Sequence, residues 1–294
     1  MTALTDPAVR VSRDSGRRSR VVRRLLRNPL AVISFAVLAG ALFVALAAPV
    51  LAPYAPEQTD FANIFSPPGT PGHLFGTDDL GRDVLSRIIL GTRASLQVGV
   101  LAVATALLIG VPLGLAAGYF RAWDAVLSRL TDLLLAFPFL ILAVGLAAVR
   151  GASLRYAAVA IGIAQIPGVI RVVRSETLRL KSLDFVAAAV VDGAGDLWVL
   201  ARHVLPNATS VVLVQATVAI PAAILGEAVL SFLGLGIQPP APSLGTMLAT
   251  AQQFATRAPW AAVLPGVTIM VLALAFNVFG DGLRDALDPR EARR

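Results

Sequence analysis

Six apolar runs govern what this chain can fold into. They lie near 29–51, 94–119, 126–149, 156–173, 208–236 and 260–280, and at about 1.5 Å per helical residue each crosses most or all of roughly 30 Å of hydrocarbon. Lipid offers the backbone no hydrogen-bond partner, so such runs must close their own bonds as helices. The expected fold is therefore an all-α integral membrane protein with about six transmembrane helices. A composition 56% hydrophobic and 15% charged agrees with this.

The net charge of +7 does not point to nucleic acid, because the basic residues flank membrane spans instead of gathering on one polar domain. They fall on alternate sides of the spans. Arg10, Arg13, Arg17, Arg18, Arg20, Arg23, Arg24, Arg27, Arg121, Arg129, Arg171, Arg174, Arg179, Lys181, Arg202, Arg284, Arg290, Arg293 and Arg294 lie on one side; Arg82, Arg87, Arg93, Arg150, Arg155 and Arg257 lie on the other. Nineteen against six places both termini in the cytoplasm. "ALAAP" after the first run would pass as a signal-peptidase site, but that run is longer than the usual 7–15 residues of a signal core, so an uncleaved first span is expected. There is no cysteine, and His73 and His203 are the only histidines, so no disulfide or thiolate metal site is available and no metal is expected.

Residues 54–90 form an extracytoplasmic segment whose Pro and Gly content argues against helix until about Asp79. From there "DLGRDVLSRIILGTRASL" predicts a short amphipathic helix capping the bundle, with Val84, Leu85, Ile88 and Ile89 on one face. Gly110, Gly114 and Gly118 repeat every fourth residue in the second span and mark a close-packing helix seam. Pro112, Pro138, Pro167, Pro221 and Pro265 permit bends in most spans.

The stretch Arg171–Asn207 is too polar to cross a membrane and too apolar for a plain loop. Asp184 can cap a helix beginning at Phe185, and Gly193 and Gly195 stop it. Asp196 can cap a second helix, with Leu197, Leu200, Ala201 and Val204 on one face, before Pro206 ends the segment. Phe185, Val186, Val190, Leu197 and Trp198 cannot all turn inward in so small an element. Lipid or a docking protein must cover the rest.

The segment cannot be powered from within. Lys181 is the only lysine, Leu180 precedes it, and no glycine-rich loop able to cradle phosphates is present. Nucleophile elbows and zinc-protease motifs are also missing, and "FGDG" at 279–282 follows Val278 where an intramembrane aspartyl protease needs glycine, so an enzyme is not expected. Glu227, and more weakly Asn277, are the intramembrane polar residues that could line a substrate pathway; an ion-coupled secondary transporter would use such a group. Glu227 could equally serve helix packing, and Asn277 reads first as an interhelical hydrogen-bonding residue.

The spacing of Ala188, Ala189, Gly193, Leu205 and Pro206 resembles the EAA loop of ABC importer permeases. "HLFGTDDLGRDVLSRIILGTRASL" (73–96), "LSFLGLGIQPPAPSLGTML" (230–248) and "GDGLRDALDPR" (280–290) resemble the C-type permease subunit of dipeptide, oligopeptide and nickel importers, so the likeness runs from Asn28 to Arg290. Ala187 stands where the loop usually has glutamate, and Leu244 where the family usually has tryptophan. The resemblance implies a basic cytoplasmic tail (1–28), a first transmembrane helix (29–53), the extracytoplasmic segment (54–90), a permease core (91–284) and a cytoplasmic C-terminal tail (285–294). It implies a coupling loop over about 175–206, with Phe185, Val186, Ala188, Ala189, Gly193, Ala194, Leu197, Trp198, Leu205 and Pro206 facing an ATPase. The implied partners are a B-type permease, two ATPase subunits that carry ATP and Mg, and an extracytoplasmic binding protein. The cargo would be a dipeptide or oligopeptide, with nickel or haem as alternatives.

Overall fold

The computed structural model describes residues 15–136 and 138–287; Arg10, Arg13, Arg290, Arg293 and Arg294 lie outside them. The chain runs through α1 (Ser15–Arg27), α2 (Pro29–Leu51), α3 (Val84–Tyr119), α4 (Arg121–Ala136), α5 (Phe139–Arg150), α6 (Leu154–Lys181), α7 (Asp184–Val191), α8 (Asp196–Val199), α9 (Leu205–Phe232), α10 (Leu244–Gln252) and α11 (Pro259–Leu287). Among the described residues five helices are long and apolar enough to cross a membrane, and α4 with α5, bent by 85° at their break, forms either a sixth, broken span or a re-entrant pair. The protein is a multi-pass membrane protein.

Each element follows from local chemistry. Asn28 turns the basic α1 into α2: its Oδ1 accepts from the amides of Leu30 and Ala31, and Pro29 supplies a first helical residue that needs no donor. Asp83 caps α3 by accepting from Ser86 N at 2.7 Å. The helix expected to be a short cap is in fact the first turns of the second span, which continues unbroken to Tyr119. Gly91 does not stop it. A Cβ there would sit 3.2 Å from Leu244 N, so this glycine instead admits the start of α10 against α3.

The α3–α6 pair is the bundle's most extensive helix contact. A Cβ on Gly110 would lie 2.7 Å from Val169 Cβ, on Gly114 2.7 Å from Val173 Cβ, and on Gly118 2.5 Å from Thr177 Cβ. The three glycines therefore seat α6 directly on the α3 backbone. The single third span read from sequence is replaced by two helices. Pro138 lies between them, where its ring and missing N–H disfavour a straight continuation.

Residues 54–83 cover one end of the bundle. His73 Nδ1 lies 3.0 Å from Asp83 Oδ1, whose other oxygen accepts from Ser86 N and Oγ. Ser86 Oγ in turn accepts from Tyr54 N, and the Tyr54 ring stacks on His73. Arg87, buried, donates to Pro56 O at 3.0 Å, and Trp260 Nε1 at the start of α11 donates to Thr77 O. Buried polar groups are thus paired, so the segment is a folded cap.

Candidate functional site

The opposite end of the bundle carries α7 and α8. Lys181 ends α6, and its Nζ donates to Tyr119 O at 2.6 Å while lying 4.7 Å from the Tyr119 ring centroid. Three residues later α7 begins, with Leu183 as its cap, so Asp184 is the first helical residue and its charge meets the helix N-terminus instead of capping it through the side chain. The helix closes in a Schellman turn: Gly193 N donates to Val190 O and Ala194 N to Ala189 O. Gly193 has φ +83° and nothing within 4 Å of a built Cβ, so glycine is required there by backbone conformation alone.

Gly195 caps α8, and Asp196 is again the first helical residue. Its Oδ1 accepts from Tyr119 OH at 2.9 Å, which ties α8 to α3. The second helix is not the short one expected. Asp196 to Phe232 is one continuous helical rod, with a π-helical turn at Leu200–Val204 closed by Leu205 N donating to Leu200 O. Pro206 lacks an N–H, and its ring would crowd the carbonyl four residues back; the wider turn before it relieves both. The extra residue also shifts the buried face. Val199, Leu200 and Val204 point inward, whereas Leu197 and Ala201 of the expected stripe are exposed.

This arrangement divides the element into an anchored half and a free half. Val186, Val199, Leu200 and Val204 are buried in one core with Leu180 of α6 and Leu115 and Tyr119 of α3. Burial of side chains this size contributes about 1.5–3 kcal/mol each, so α7 and α8 move with those helices. On the other side, Val191 is 85%, Leu197 76% and Trp198 53% exposed, with Phe185, Val190 and Leu205 partly uncovered. Trp198 packs edge-on against His203 with centroids 4.9 Å apart, and Phe185 lies 6.2 Å from the same ring. Ala187, Ala188 and Pro206 are exposed, and Ala189 and Ala194 half-buried beside the turn.

The two intramembrane residues behave differently. Glu227 is completely buried: Ser95 Oγ of α3 donates to Oε2 and Ser231 Oγ of α9 to Oε1, both at 2.7 Å. Ser231 Oγ also accepts from Ile237 N, extending the network into the chain leading to α10. In this conformation Glu227 joins elements and faces no opening. Asn277 is exposed on α11. Among the described residues no group of acidic and histidine side chains is arranged to hold a metal.

Residues 110–293 match the family described as "Binding-protein-dependent transport system inner membrane component", and residues 17–68 match the "N-terminal TM domain of oligopeptide transport permease C". The chain is 43% identical over 269 residues to the "Dipeptide transport system permease protein DppC" of Alkalihalophilus pseudofirmus, covering 91% of this chain and 88% of that one. It is 45% identical over 255 residues to the "Di/tripeptide transport system permease protein DppC" of Pseudomonas aeruginosa, covering 84% of each. It is 42% identical over 270 residues to the "Glutathione transport system permease protein GsiD" of Pectobacterium atrosepticum, covering 91% and 89%. Among solved structures, an inward-facing form of the MetNI methionine ABC transporter shares the fold, with a TM-score of 0.54, 19% identity, and coverage of 68% of this chain and 96% of that one. The short α7–α8 pair packed on α3 and α6 and running into α9, the family match over most of the chain and these relatives together make this protein a member of the binding-protein-dependent transport system inner-membrane component family, the permease subunits of ABC importers.

Proposed function

We propose that the chain is the C-type permease subunit of an importer of dipeptides or short oligopeptides. The observation that carries the coupling role is the free apolar and aromatic face at Val191, Leu197 and Trp198, held on an element anchored to α3 and α6 and continuous with α9. Such a face needs a cover, and helix-in-groove docking on a partner protein supplies one. Peptide cargo is supported by the names of the relatives.

In this reading α7 and α8 lie in the cytoplasm and seat in an ATPase subunit, one of two that hold ATP and Mg. A B-type permease completes the path, and an extracytoplasmic binding protein delivers cargo to the end capped by residues 54–83. When the ATPases close, the rod Asp196–Phe232 and the seam-locked α3–α6 pair carry the displacement through the membrane as a rigid unit. The chain itself breaks no bond in the cargo. The enclosure of Glu227 by hydroxyl donors favours a packing role over ion coupling.

Two measurements test this. Cysteines introduced singly at Ser66 and Ser182 of the cysteine-free chain should react with impermeant reagents from opposite sides, Ser182 from the cytoplasm. Proteoliposomes holding both permeases and both ATPases should accumulate radiolabelled dipeptide when supplied with binding protein and ATP. Same-side labelling overturns the topology, and ATP-independent accumulation overturns the importer reading.

A further inference from the structure

Arg171 Nη2 on α6 bonds Asp132 Oδ1 on α4 at 3.0 Å, yet the two side chains remain 61% and 71% exposed. Their depth is set by the glycine seam. Val169 faces Gly110 and Val173 faces Gly114, so Arg171 sits at the level of Pro112, about 10 Å inside the Tyr119 end of α3 at 1.5 Å per residue. Around that level α3 has no charged residue from Val98 to Gly118.

An exposed ion pair at such depth is unfavourable against hydrocarbon; charged groups there face a bundle interior or a water-filled cavity. Arginine can reach toward the interface along its stem, but the short aspartate cannot. A second observation points to the same place. Asp132 lies one turn before the break between α4 and α5, and an interrupted span is tolerated at depth where it lines a cavity or is covered by protein. One turn further along α6, Arg174 Nη2 binds Asp124 Oδ2 at 3.0 Å and is only about one-third exposed, so α4 is already clipped to α6 without the outer pair. The Arg171–Asp132 bond is therefore free to open while the helices stay together.

We propose that Arg171 and Asp132 form a charged station on the transport route, where the pair opens and its members receive the carboxylate and the ammonium of a zwitterionic peptide. The planar guanidinium suits a carboxylate in a paired geometry, and Asp132 suits the ammonium. The proposal rests on the peptide-import reading and names two residues of its path.

The test uses the complete complex in proteoliposomes, with the cysteine-free chain carrying Asp132→Cys. A charged, membrane-impermeant thiosulfonate should modify that cysteine in the resting or the vanadate-trapped state. Reaction with a lipid-soluble maleimide alone would place the pair against lipid, and reaction with neither would bury it under the sister permease; either result overturns the proposal. Arg171→Gln and Asp132→Asn should each lower uptake of dipeptides with free termini at least tenfold, with assembly and ATPase binding kept. The reversed pair, Arg171→Asp with Asp132→Arg, should regain thermal stability without regaining uptake. Restoration of both would make the pair a structural clip. Failure of the unaltered complex to import any peptide would instead refute the import reading, independently of these variants.

Discussion

Gly193 and Gly195 stand two residues apart in the same exposed turn and should respond unequally to one methyl group. Gly193 has φ +83°, and a Cβ there meets nothing within 4 Å; Gly195 has φ −66° and equally open surroundings. Sterics with neighbours cancel from the comparison, leaving only backbone preference. Alanine in the left-handed region costs about 1–2 kcal/mol, whereas Gly195→Ala keeps its φ and gives up only the advantage of glycine over alanine at the α8 N-cap, the smaller loss. A penalty of that size lowers the equilibrium for the docked turn by roughly five- to thirty-fold. Asparagine, which tolerates left-handed φ, should fall between glycine and alanine at position 193. Gly193→Pro cannot adopt φ +83° and loses the donor to Val190 O, so it should cost about 3 kcal/mol or more. The assay is the amount of ATPase recovered with affinity-purified permease, together with binding-protein-stimulated ATP hydrolysis. The expected order, from the mildest, is Gly195→Ala, then Gly193→Asn, Gly193→Ala and Gly193→Pro. Equal effects of alanine at the two positions would refute the argument from φ.

Three further outcomes follow from the packing. Gly114→Ala drives a Cβ to 2.7 Å from Val173 Cβ and 3.0 Å from Ile170 O, so detergent-solubilised protein should lose about 1–3 kcal/mol of stability, read as a lower unfolding temperature. Glu227→Leu strips the acceptor from two buried serine hydroxyls and should cost about 2–4 kcal/mol, while Glu227→Gln keeps one acceptor and should cost less; equal unfolding temperatures for the two would contradict the network. Asp83→Ala removes the α3 cap and leaves His73 and Ser86 short of a partner, so proteolysis within residues 54–83 should accelerate while α7–α8 docking persists.

The membrane spans were legible because lipid forces long apolar runs into helices, and the glycine seam was legible because spacing of four fixes one helix face. What periodicity could not register was a change in the period itself. The stripe Leu197, Leu200, Ala201, Val204 presumes 3.6 residues per turn, but the π turn places Val199 and Val204 on one face and turns Leu197 outward. Pro206 was the available signal, since a proline inside a helix needs relief from the turn before it. The start of α3 reads as a separate cap because Val84, Leu85, Ile88 and Ile89 share one amphipathic face; what Gly91 does there depends on Leu244, more than a hundred residues away. Arg171 counted only as a flanking charge, and Asp132 drew no notice, because pairing across α4 and α6 is a property of the bend that no local pattern encodes.

In the proposed function the free face of α7 and α8 transmits ATPase motion to the bundle. Trp198→Asp places a carboxylate on that face, 53% exposed in the isolated chain, so the variant should fold, insert and pair with its sister permease normally. If the position becomes desolvated on docking, an unpaired charge there costs at least a few kcal/mol, which corresponds to a loss of ATPase affinity of a hundredfold or more. The measurement is the dissociation constant between purified permease pair and ATPase in nanodiscs, wild type against Trp198→Asp. The variant should show that large weakening together with loss of stimulated ATP hydrolysis; an unchanged dissociation constant with normal hydrolysis would contradict the coupling role of this face.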